Sequence, residues 1–121
     1  METRTDVPWT HQMLSVAEEL FQESDLKTML QTFIREKAEE STIWSALTRN
    51  THLMLGGNSP DLDRAAALTE MVMLLLDIVD DLQDRDNTEK SWMNVPEAEV
   101  LNAILAFHSM LLVELPKFGS V

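Results

Sequence analysis

The chain lacks several residue types, and each absence narrows its fold and chemistry. It has no cysteine and no tyrosine, and only 3 glycines and 4 prolines among 121 residues. Without cysteine there is neither a disulfide framework nor a thiolate metal site, so we expect a protein of the reducing cytoplasm. No long run alternates apolar with polar residues, so no half-buried strand is predicted. With 45% apolar residues, the composition predicts one all-α domain over residues 1–121.

Basic residues are also scarce, with 9 against 21 acidic ones and a formal net charge of −12. A nucleic-acid backbone or an anionic membrane surface would repel such a chain, so neither is expected as a partner. The polar N-terminus, METRTDVPWTHQ, does not resemble a signal peptide. The apolar runs 71–76 and 110–113 are far shorter than the roughly 20 residues that a membrane helix needs. The acidic balance suits either a site for divalent cations or an ordinary solvated helical surface.

Residue spacing predicts three helices in the first half of the chain. The first covers about residues 12–22, and the second begins after Ser24, a suitable N-cap. The third covers about residues 41–55 and stops at the glycine pair 56–57, a usual helix terminator. Their predicted core residues recur at helical spacing: Leu14, Ala17, Leu20, Phe21, Leu26, Met29, Leu30, Phe33, Ile34, Ile43, Trp44, Leu47 and Leu53.

Two further helices are predicted in the second half. Ser59 as N-cap and Pro60 in the first helical position begin a long helix that runs to about Arg85 and is apolar enough to be buried on most sides. Pro96 begins the last helix and Pro116 ends it. The core candidates of this last helix are Leu101, Ile104, Leu105, Leu111 and Leu112.

The end of the long helix, LLLDIVDDLQDRDN, carries a cluster of like charges. Asp77, Asp80, Asp81 and Asp84 are spaced to lie on one side of the helix, near the negative end of its dipole. Such a cluster is locally unfavourable, and conflicts of this kind are typical of functional sites. Mg²⁺ would relieve it, because this cation binds carboxylate oxygens. The alternative is that Asp84 and Asp86 simply lie in solvent at the helix end, beside Arg85. The three tryptophans are interpreted as packing anchors.

At this point the sequence resembles the trans-prenyltransferases, the family of polyprenyl diphosphate synthases. The resemblance is carried by the glycine pair 56–57, by Glu70 ten positions before the first aspartate of the motif, and by DDLQD at Asp80, Asp81 and Asp84. The family implies an all-α bundle considerably longer than this chain, of which these residues look like the N-terminal half.

Within that family the chain is similar to the competence-pheromone (ComQ-type) prenyltransferases, which attach an isoprenoid to a tryptophan of a short signalling peptide. The similarity lies in DIVDDLQDRDN, in WM at Trp92 and Met93, and in EVLNAILA from Glu99. It covers roughly residues 41–112.

The resemblance implies a set of functional residues. Three aspartates would bind Mg²⁺ and act in catalysis by bridging the metal to an allylic isoprenyl diphosphate: Asp80, Asp81 and Asp84. Three neighbours would form the substrate pocket: Leu75, Leu76 and Asp77. The two leucines are equally well interpreted as core residues, and Asp77 as support for the metal cluster or as an ordinary helix carboxylate.

The departures from the family are also informative. Residues 58–61 stand where chain-elongating members carry a basic run after the glycine pair, Met73 replaces a usual histidine or glutamine, and the NTEKS segment replaces Arg-Arg-Gly. The missing bases favour an acceptor without a diphosphate, such as a peptide tryptophan. No second aspartate-rich motif follows Asp86, so we expect the N-terminal portion of a longer enzyme, a truncated homologue, or a part that assembles with another chain.

Other functions stay open. One is chain elongation of a polyprenyl diphosphate. Another is a small all-α nucleotide pyrophosphohydrolase of the MazG type, which holds Mg²⁺ with acidic helices; AEEL (residues 17–20) and KAEE (residues 37–40) are the candidates for its first acidic helix. A third is a non-catalytic regulatory subunit. The exposed apolar helix faces of a half-bundle would favour oligomerisation, and the resemblance implies a dimer, so we expect a helical homo-oligomer, a dimer.

Overall fold

The computed structural model describes residues 8–118. Within that range the chain forms helices and no strand, which confirms the predicted all-α class. The five α-helices are α1 (Pro8–Leu20), α2 (Asp25–Glu40), α3 (Ile43–Met54), α4 (Leu62–Asp84) and α5 (Glu97–Glu114). Short 3-10 turns, Ser91–Met93 and Leu115–Lys117, flank α5. Residues 1–7, which include most of the stretch predicted not to be a signal peptide, lie outside the described residues, as do residues 119–121.

Two of the predicted helix signals act as expected. The Ser24 hydroxyl accepts a hydrogen bond from the Lys27 backbone N–H at 3.2 Å and caps α2. Gly56 follows α3 with φ of +78°, a conformation that favours glycine. Its neighbour Gly57 lies so close to the His52 ring that an added Cβ would fall within 2.6 Å of three ring atoms. The glycine pair therefore ends α3 and lets the following chain turn tightly over it.

The start of α4 differs from the prediction by two residues. Asp61 is its N-cap, so Ser59 and Pro60 precede the helix. The Ser59 hydroxyl instead accepts the Asp61 backbone N–H at 3.1 Å, which forms a local turn ahead of the helix. Pro96 occupies the position just before the first residue of α5, one residue from the predicted start, and Pro116 lies in the 3-10 turn that follows the helix.

Helix α4 is the centre of the molecule and packs against all four other helices. This explains why its sequence is apolar over most of its circumference. Its fully or almost fully buried apolar residues are Ala66, Ala67, Leu68, Met71, Leu74 and Ile78.

The predicted core residues of the outer helices α3 and α5 are partly wrong. On α3, Ile43, Leu47 and Leu53 are more than half exposed, because this helix packs mainly on α4 and its opposite face has no neighbour among the described residues. On α5, the predicted Leu101, Leu105 and Leu112 are at least half exposed. The buried stripe of α5 contains the predicted Leu111 together with Val100, Ala103, Ala106, Phe107 and Met110.

One described segment, Glu97–Lys117, is long and apolar enough to cross a membrane by length and composition. The apolar run 110–113 is too short to predict such a segment, because single polar residues interrupt the apolar residues of α5. The same criteria are met by core helices of soluble proteins, and α5 buries one full stripe against the other helices.

Candidate functional site

The predicted aspartate cluster lies where α4 stops and the chain turns back. Arg85 and Asn87 both adopt left-handed backbone conformations, with φ of 56° and 49°. The backbone N–H groups of Arg85 and Asp86 both donate to the Asp81 carbonyl, which closes the last turn of the helix. The connector after α4 is thereby directed back toward the aspartates.

Asp80 and Asp84 form the exposed part of the cluster, one helical turn apart. Among residues 8–118 neither has a basic partner, since the nearby Arg85 pairs with Glu97 at 3.3 Å. Repulsion from the Asp84 carboxylate raises the pKa of Asp80 above its ordinary value, and desolvation and the other nearby aspartates add to this effect. The pair therefore carries uncompensated negative charge at the negative end of the helix dipole.

Asp81 faces the interior instead. It is 3% exposed, and each of its carboxylate oxygens accepts a hydrogen bond from a side-chain N–H. The donors are the Asn87 amide at 2.6 Å and the Trp92 indole at 2.9 Å. The three-carboxylate set that the sequence predicts is therefore not assembled in this structure, because two side chains face outward and the third faces inward.

The indole that binds Asp81 is itself held by α2. The Trp92 ring is 1% exposed and meets the Phe33 ring edge to face, with centroids 5.7 Å apart. The preceding residue, Ser91, donates both its hydroxyl and its backbone N–H to the Glu36 carboxylate. Trp92 is thus a packing anchor, as predicted, and also a hydrogen-bond donor to the aspartate motif.

Lys90 adds a charged contact to the same turn. Its ammonium lies 5.6 Å from the centroid of the Trp92 ring and forms an ion pair with Glu40. Partial burial opposes its charged form, but Glu40 and the neighbouring acids outweigh this and raise the pKa of Lys90. This cation, which belongs to the NTEKS segment, is therefore engaged at the end of α2.

Asp77, one turn before the motif, is neutralised by α2. Its carboxylate pairs with the Lys37 ammonium at 2.7 Å, and the Lys37 side chain is only 5% exposed. The pair joins α2 to α4 and compensates this aspartate, so Asp77 differs from Asp80 and Asp84 in having a protein cation beside it.

The two predicted pocket leucines have different surroundings. Leu75 is half-buried and packs against the core, whereas Leu76 is 53% exposed. Leu76 and Val72, which is also exposed, precede Asp80 at intervals of four residues, so the three lie along one stripe of α4. The exposed carboxylates are thus continuous with an apolar strip of the same helix.

A large groove lies elsewhere, between α2 and α5, with a volume of about 920 Å³. Its lining includes neither Leu75 nor Leu76. Apolar side chains of the two helices, and Phe21 from the connector before α2, line it: Phe21, Leu26, Met29, Phe33, Leu105 and Ala106. Because Phe33 also contacts Trp92, this groove is separated from the aspartate motif by the buried indole.

The glycine pair and residues 58–61 lie at the opposite end of α4 from the motif. At 1.5 Å per residue, Asp61 and Asp80 are separated by roughly 28 Å of helix. The absence of basic residues at 58–61 therefore lowers the positive charge at the N-terminal end of α4. It does not change the number of basic side chains near the aspartates at the other end. The bases that the fold does bring to the motif end are Lys37, Arg85 and Lys90.

Glu70, part of the family resemblance, is fully buried at the interface with α3. One carboxylate oxygen accepts the Ser45 backbone N–H at 2.7 Å, in the first turn of α3. This caps the positive end of α3 from a neighbouring helix, where Thr42 makes no side-chain cap. Glu70 therefore orients α3 and lies well before the aspartate motif along α4.

The two acidic stretches of the pyrophosphohydrolase alternative are not brought together. Glu18 pairs with Lys27 near the start of α2, and Glu40 pairs with Lys90 at its end. About 20 Å of helix separate Lys27 from Glu40. Among residues 8–118 no group of three acidic or imidazole side chains converges as a complete cation site.

The sequence alone does not predict the contacts that three residues make at the site: Lys37, Asn87 and Trp92. Lys37 belongs to a charged stretch that is typical of a solvated helix face. Its ion pair with Asp77 could not be predicted, because the two residues are 40 positions apart in the chain. Asn87 has a usable signal, because asparagine readily adopts the left-handed turn that follows a helix. The WM pair was visible, but its contact with Asp81 depends on tertiary packing.

Comparisons with known proteins agree with this picture. The chain is 32% identical over 99 residues to the tryptophan prenyltransferase ComQ of Bacillus subtilis (strain 168), an alignment covering 81% of this chain and 32% of that protein. It is 31% identical over 101 residues to ComQ of Bacillus subtilis subsp. natto (strain BEST195), covering 83% and 31%. No family model and no solved structure matches the chain.

The chain is therefore a partial homologue of a prenyltransferase, with an all-α fold and an acidic motif at the end of its central helix. More particularly, it is a ComQ-like relative, which confirms the resemblance noted in the sequence. It spans about a third of the length of the curated relatives it matches.

Proposed function

We propose that the chain acts in, or as, a Mg²⁺-dependent isoprenyltransferase of the cytoplasm. It would transfer a geranyl or farnesyl group from an allylic diphosphate to a tryptophan of a quorum-sensing pheromone peptide. The activity named for its relatives supports this class. The observation that carries the proposal is the exposed pair Asp80 and Asp84, which has no basic side chain as a partner within residues 8–118. Residues 1–121 would correspond to the N-terminal portion of the prenyltransferase domain.

The exposed pair fits Mg²⁺ by its chemistry. This cation is usually held by one or two carboxylates together with substrate phosphates and water. Asp80 and Asp84 would supply the carboxylates, and a bound cation would remove the repulsion that raises the pKa of Asp80. Asp81 would support them from inside the helix end. When bound, Mg²⁺ would stabilise the negative charge of the departing diphosphate.

The apolar strip beside the pair fits the other end of the substrate. Leu76 and Val72 continue from Asp80 toward the start of α4, with about 6 Å between successive positions. An isoprenyl chain whose diphosphate lies at Asp80 and Asp84 would contact these side chains and displace water from them. Leu75, which is half-buried behind the strip, would limit its depth.

The transfer itself requires a nucleophile without a diphosphate. The bond between the allylic carbon and the diphosphate oxygen breaks, an indole carbon bonds to the allylic carbon, and the indole loses a proton to water. The chain would contribute the carboxylates that hold the diphosphate and an apolar surface that keeps water from the allylic carbon.

Thermal denaturation with ligand tests the proposal. Mg²⁺ with geranyl or farnesyl diphosphate at a hundred times its Kd should stabilise the chain by about 2.7 kcal/mol, a rise of roughly 10 °C in Tm. The double variant Asp80→Asn/Asp84→Asn should lose this rise, because it lacks the charged oxygen ligands.

Asp63→Asn is the matched control, since Asp63 lies on the same helix but at its other end. It should keep the full rise in Tm. If the Asp80/Asp84 variant keeps it too, the metal assignment is wrong. If nucleoside triphosphates raise the Tm and prenyl diphosphates do not, the pyrophosphohydrolase alternative replaces the transferase.

Product analysis separates the remaining alternatives. A tryptophan-containing peptide that gains the mass of one prenyl group indicates the transferase, whereas a lengthened prenyl diphosphate after addition of isopentenyl diphosphate indicates chain elongation. Ligand binding with neither product indicates a non-catalytic subunit.

We also propose a homo-oligomer, because two outer helices carry exposed apolar stripes. Ile43, Leu47 and Met54 share the outer face of α3, and Leu101 and Leu105 belong to the outer face of α5. Sedimentation should give a mass above that of one chain, and a charge placed in the stripe, such as Leu105→Glu, should lower it. A wild-type chain that sediments as a monomer contradicts the proposal.

A further inference from the structure

We infer that Trp92 is a positioning residue of the proposed site: its indole N–H holds Asp81 inside the fold and so keeps the cation site to the two outward carboxylates, Asp80 and Asp84. The inference rests on the proposed function, since it concerns how the chain would bind Mg²⁺ and an allylic diphosphate. Trp92 itself would touch neither ligand, because it is almost fully buried.

Hydrogen bonds stabilise the buried position of the Asp81 carboxylate beside the indole. A buried carboxylate without a cation is costly unless its oxygens accept hydrogen bonds. Asp81 has two such bonds, from the Trp92 indole at 2.9 Å and from the Asn87 amide at 2.6 Å. Hydrogen bonds to an ionised acceptor are stronger than those between neutral groups. Together they keep this carboxylate away from the outer face of the helix.

The indole is a fixed donor because α2 determines its position. The Phe33 and Trp92 rings meet edge to face, and the Lys90 ammonium lies over the indole. The Ser91 backbone N–H donates a hydrogen bond to Glu36. None of these contacts belongs to α4. The orientation of Asp81 is therefore decided by the packing of α2 against the connector, and a change there should alter the charge presented at the aspartate motif.

Removing the indole N–H should release Asp81. Trp92→Phe keeps an aromatic ring in the core but leaves one buried oxygen of Asp81 without its donor. The carboxylate would then gain water by rotating outward toward Asp84, its neighbour three residues along the same side of the helix. A third outward charge should attract a bare cation and repel a diphosphate. The two ligands should thus respond in opposite directions, which a general loss of stability would not produce.

The experiment measures both affinities at pH 7, well below the Tm of each protein, by isothermal titration. In Trp92→Phe we expect Mg²⁺ alone to bind about fivefold tighter, and geranyl diphosphate at fixed Mg²⁺ to bind about fivefold more weakly. The double variant Trp92→Phe/Asp81→Asn should return the affinity for Mg²⁺ alone to the wild-type value, because the released group is then neutral.

Trp9→Phe is the matched control. Trp9 is 2% exposed, and its indole nitrogen has no hydrogen-bond partner among the described residues. Its replacement should lower the Tm through lost packing and leave both affinities unchanged. If Trp92→Phe does not fold, Asn87→Gly removes the other donor at an exposed position and should shift both affinities in the same directions.

The outcomes separate the two proposals. A wild-type chain that binds neither ligand overturns the proposed function, and this inference with it. A wild-type chain that binds both, with affinities that fall together or stay the same in Trp92→Phe, overturns the inference alone.

Discussion

Both ends of α4 carry exposed or partly exposed aspartates, but the surroundings of these aspartates differ. At the N-terminal end, Asp61 and Asp63 lie at the positive end of the dipole and pair with Arg64 at 3.5 Å and Arg49 at 2.5 Å. At the C-terminal end, Asp80 and Asp84 lie at the negative end and have no basic partner among the described residues.

The difference shows that charge near a helix end is not by itself a functional signal. Along α4 every other acid of the motif region is compensated, Asp77 by Lys37 and Asp81 by two N–H donors. Within the part of the chain that the structure describes, only the outward pair, Asp80 and Asp84, keeps an unfavourable arrangement. Such a residue pair is expected where stability is given up for ligand binding.

The largest effect on stability should follow from breaking the compensation at Asp77. Asp77→Ala leaves the buried Lys37 ammonium without its partner and should lower the free energy of unfolding by about 2 kcal/mol, between the values for exposed and fully buried pairs because Asp77 is 37% exposed. Urea denaturation measures this change.

Lys37→Met is the matched control for that variant. It removes the buried charge itself and leaves Asp77 in contact with water, so the loss should be smaller, about 1 kcal/mol or less. If both variants lose equal stability, the ion pair does not explain the effect and packing does.

A smaller change in stability, an increase, is expected when Asp80 is replaced. Its pKa is raised in the folded state, so the folded chain binds more protons than the unfolded chain between the two pKa values. Stability contributed by this group is thus present at lower pH and is lost as the pH rises from about 4 through the folded pKa. Asp80→Asn should therefore raise the Tm at pH 7 without Mg²⁺.

Near pH 3 the same variant should match the wild type, because Asp80 is then protonated in both states. Melting curves across this pH range provide the check. A variant that is less stable at pH 7 would mean that Asp80 has a favourable partner in the folded chain.

The smallest effect is expected at the N-terminal end of α4. Asp63→Asn removes a favourable dipole contact and an exposed ion pair with Arg49, so the free energy of unfolding should fall by about 0.5 kcal/mol. High salt should reduce this difference, because both contributions are screened. A gain in stability would remove the contrast between the two helix ends.

Most helix boundaries followed from local chemistry. Ser24 caps α2, Gly56 ends α3 and Pro96 precedes α5, because each depends on backbone conformation within a few residues. The outer faces of α3 and α5 did not follow. Leu47 and Leu105 have the spacing of core residues, but whether a helical stripe is buried depends on which neighbour lies against it.

The candidate site divides in the same way. The sequence by itself determined that Asp77, Asp80, Asp81 and Asp84 lie on one side of a helix, since the helical period alone decides this. Only the tertiary structure decided their separate roles. Lys37 reaches Asp77 from 40 residues away, and Trp92 turns Asp81 inward from a connector that α2 holds in place. Local geometry sets the direction of a side chain, but its partners come from distant segments of the chain.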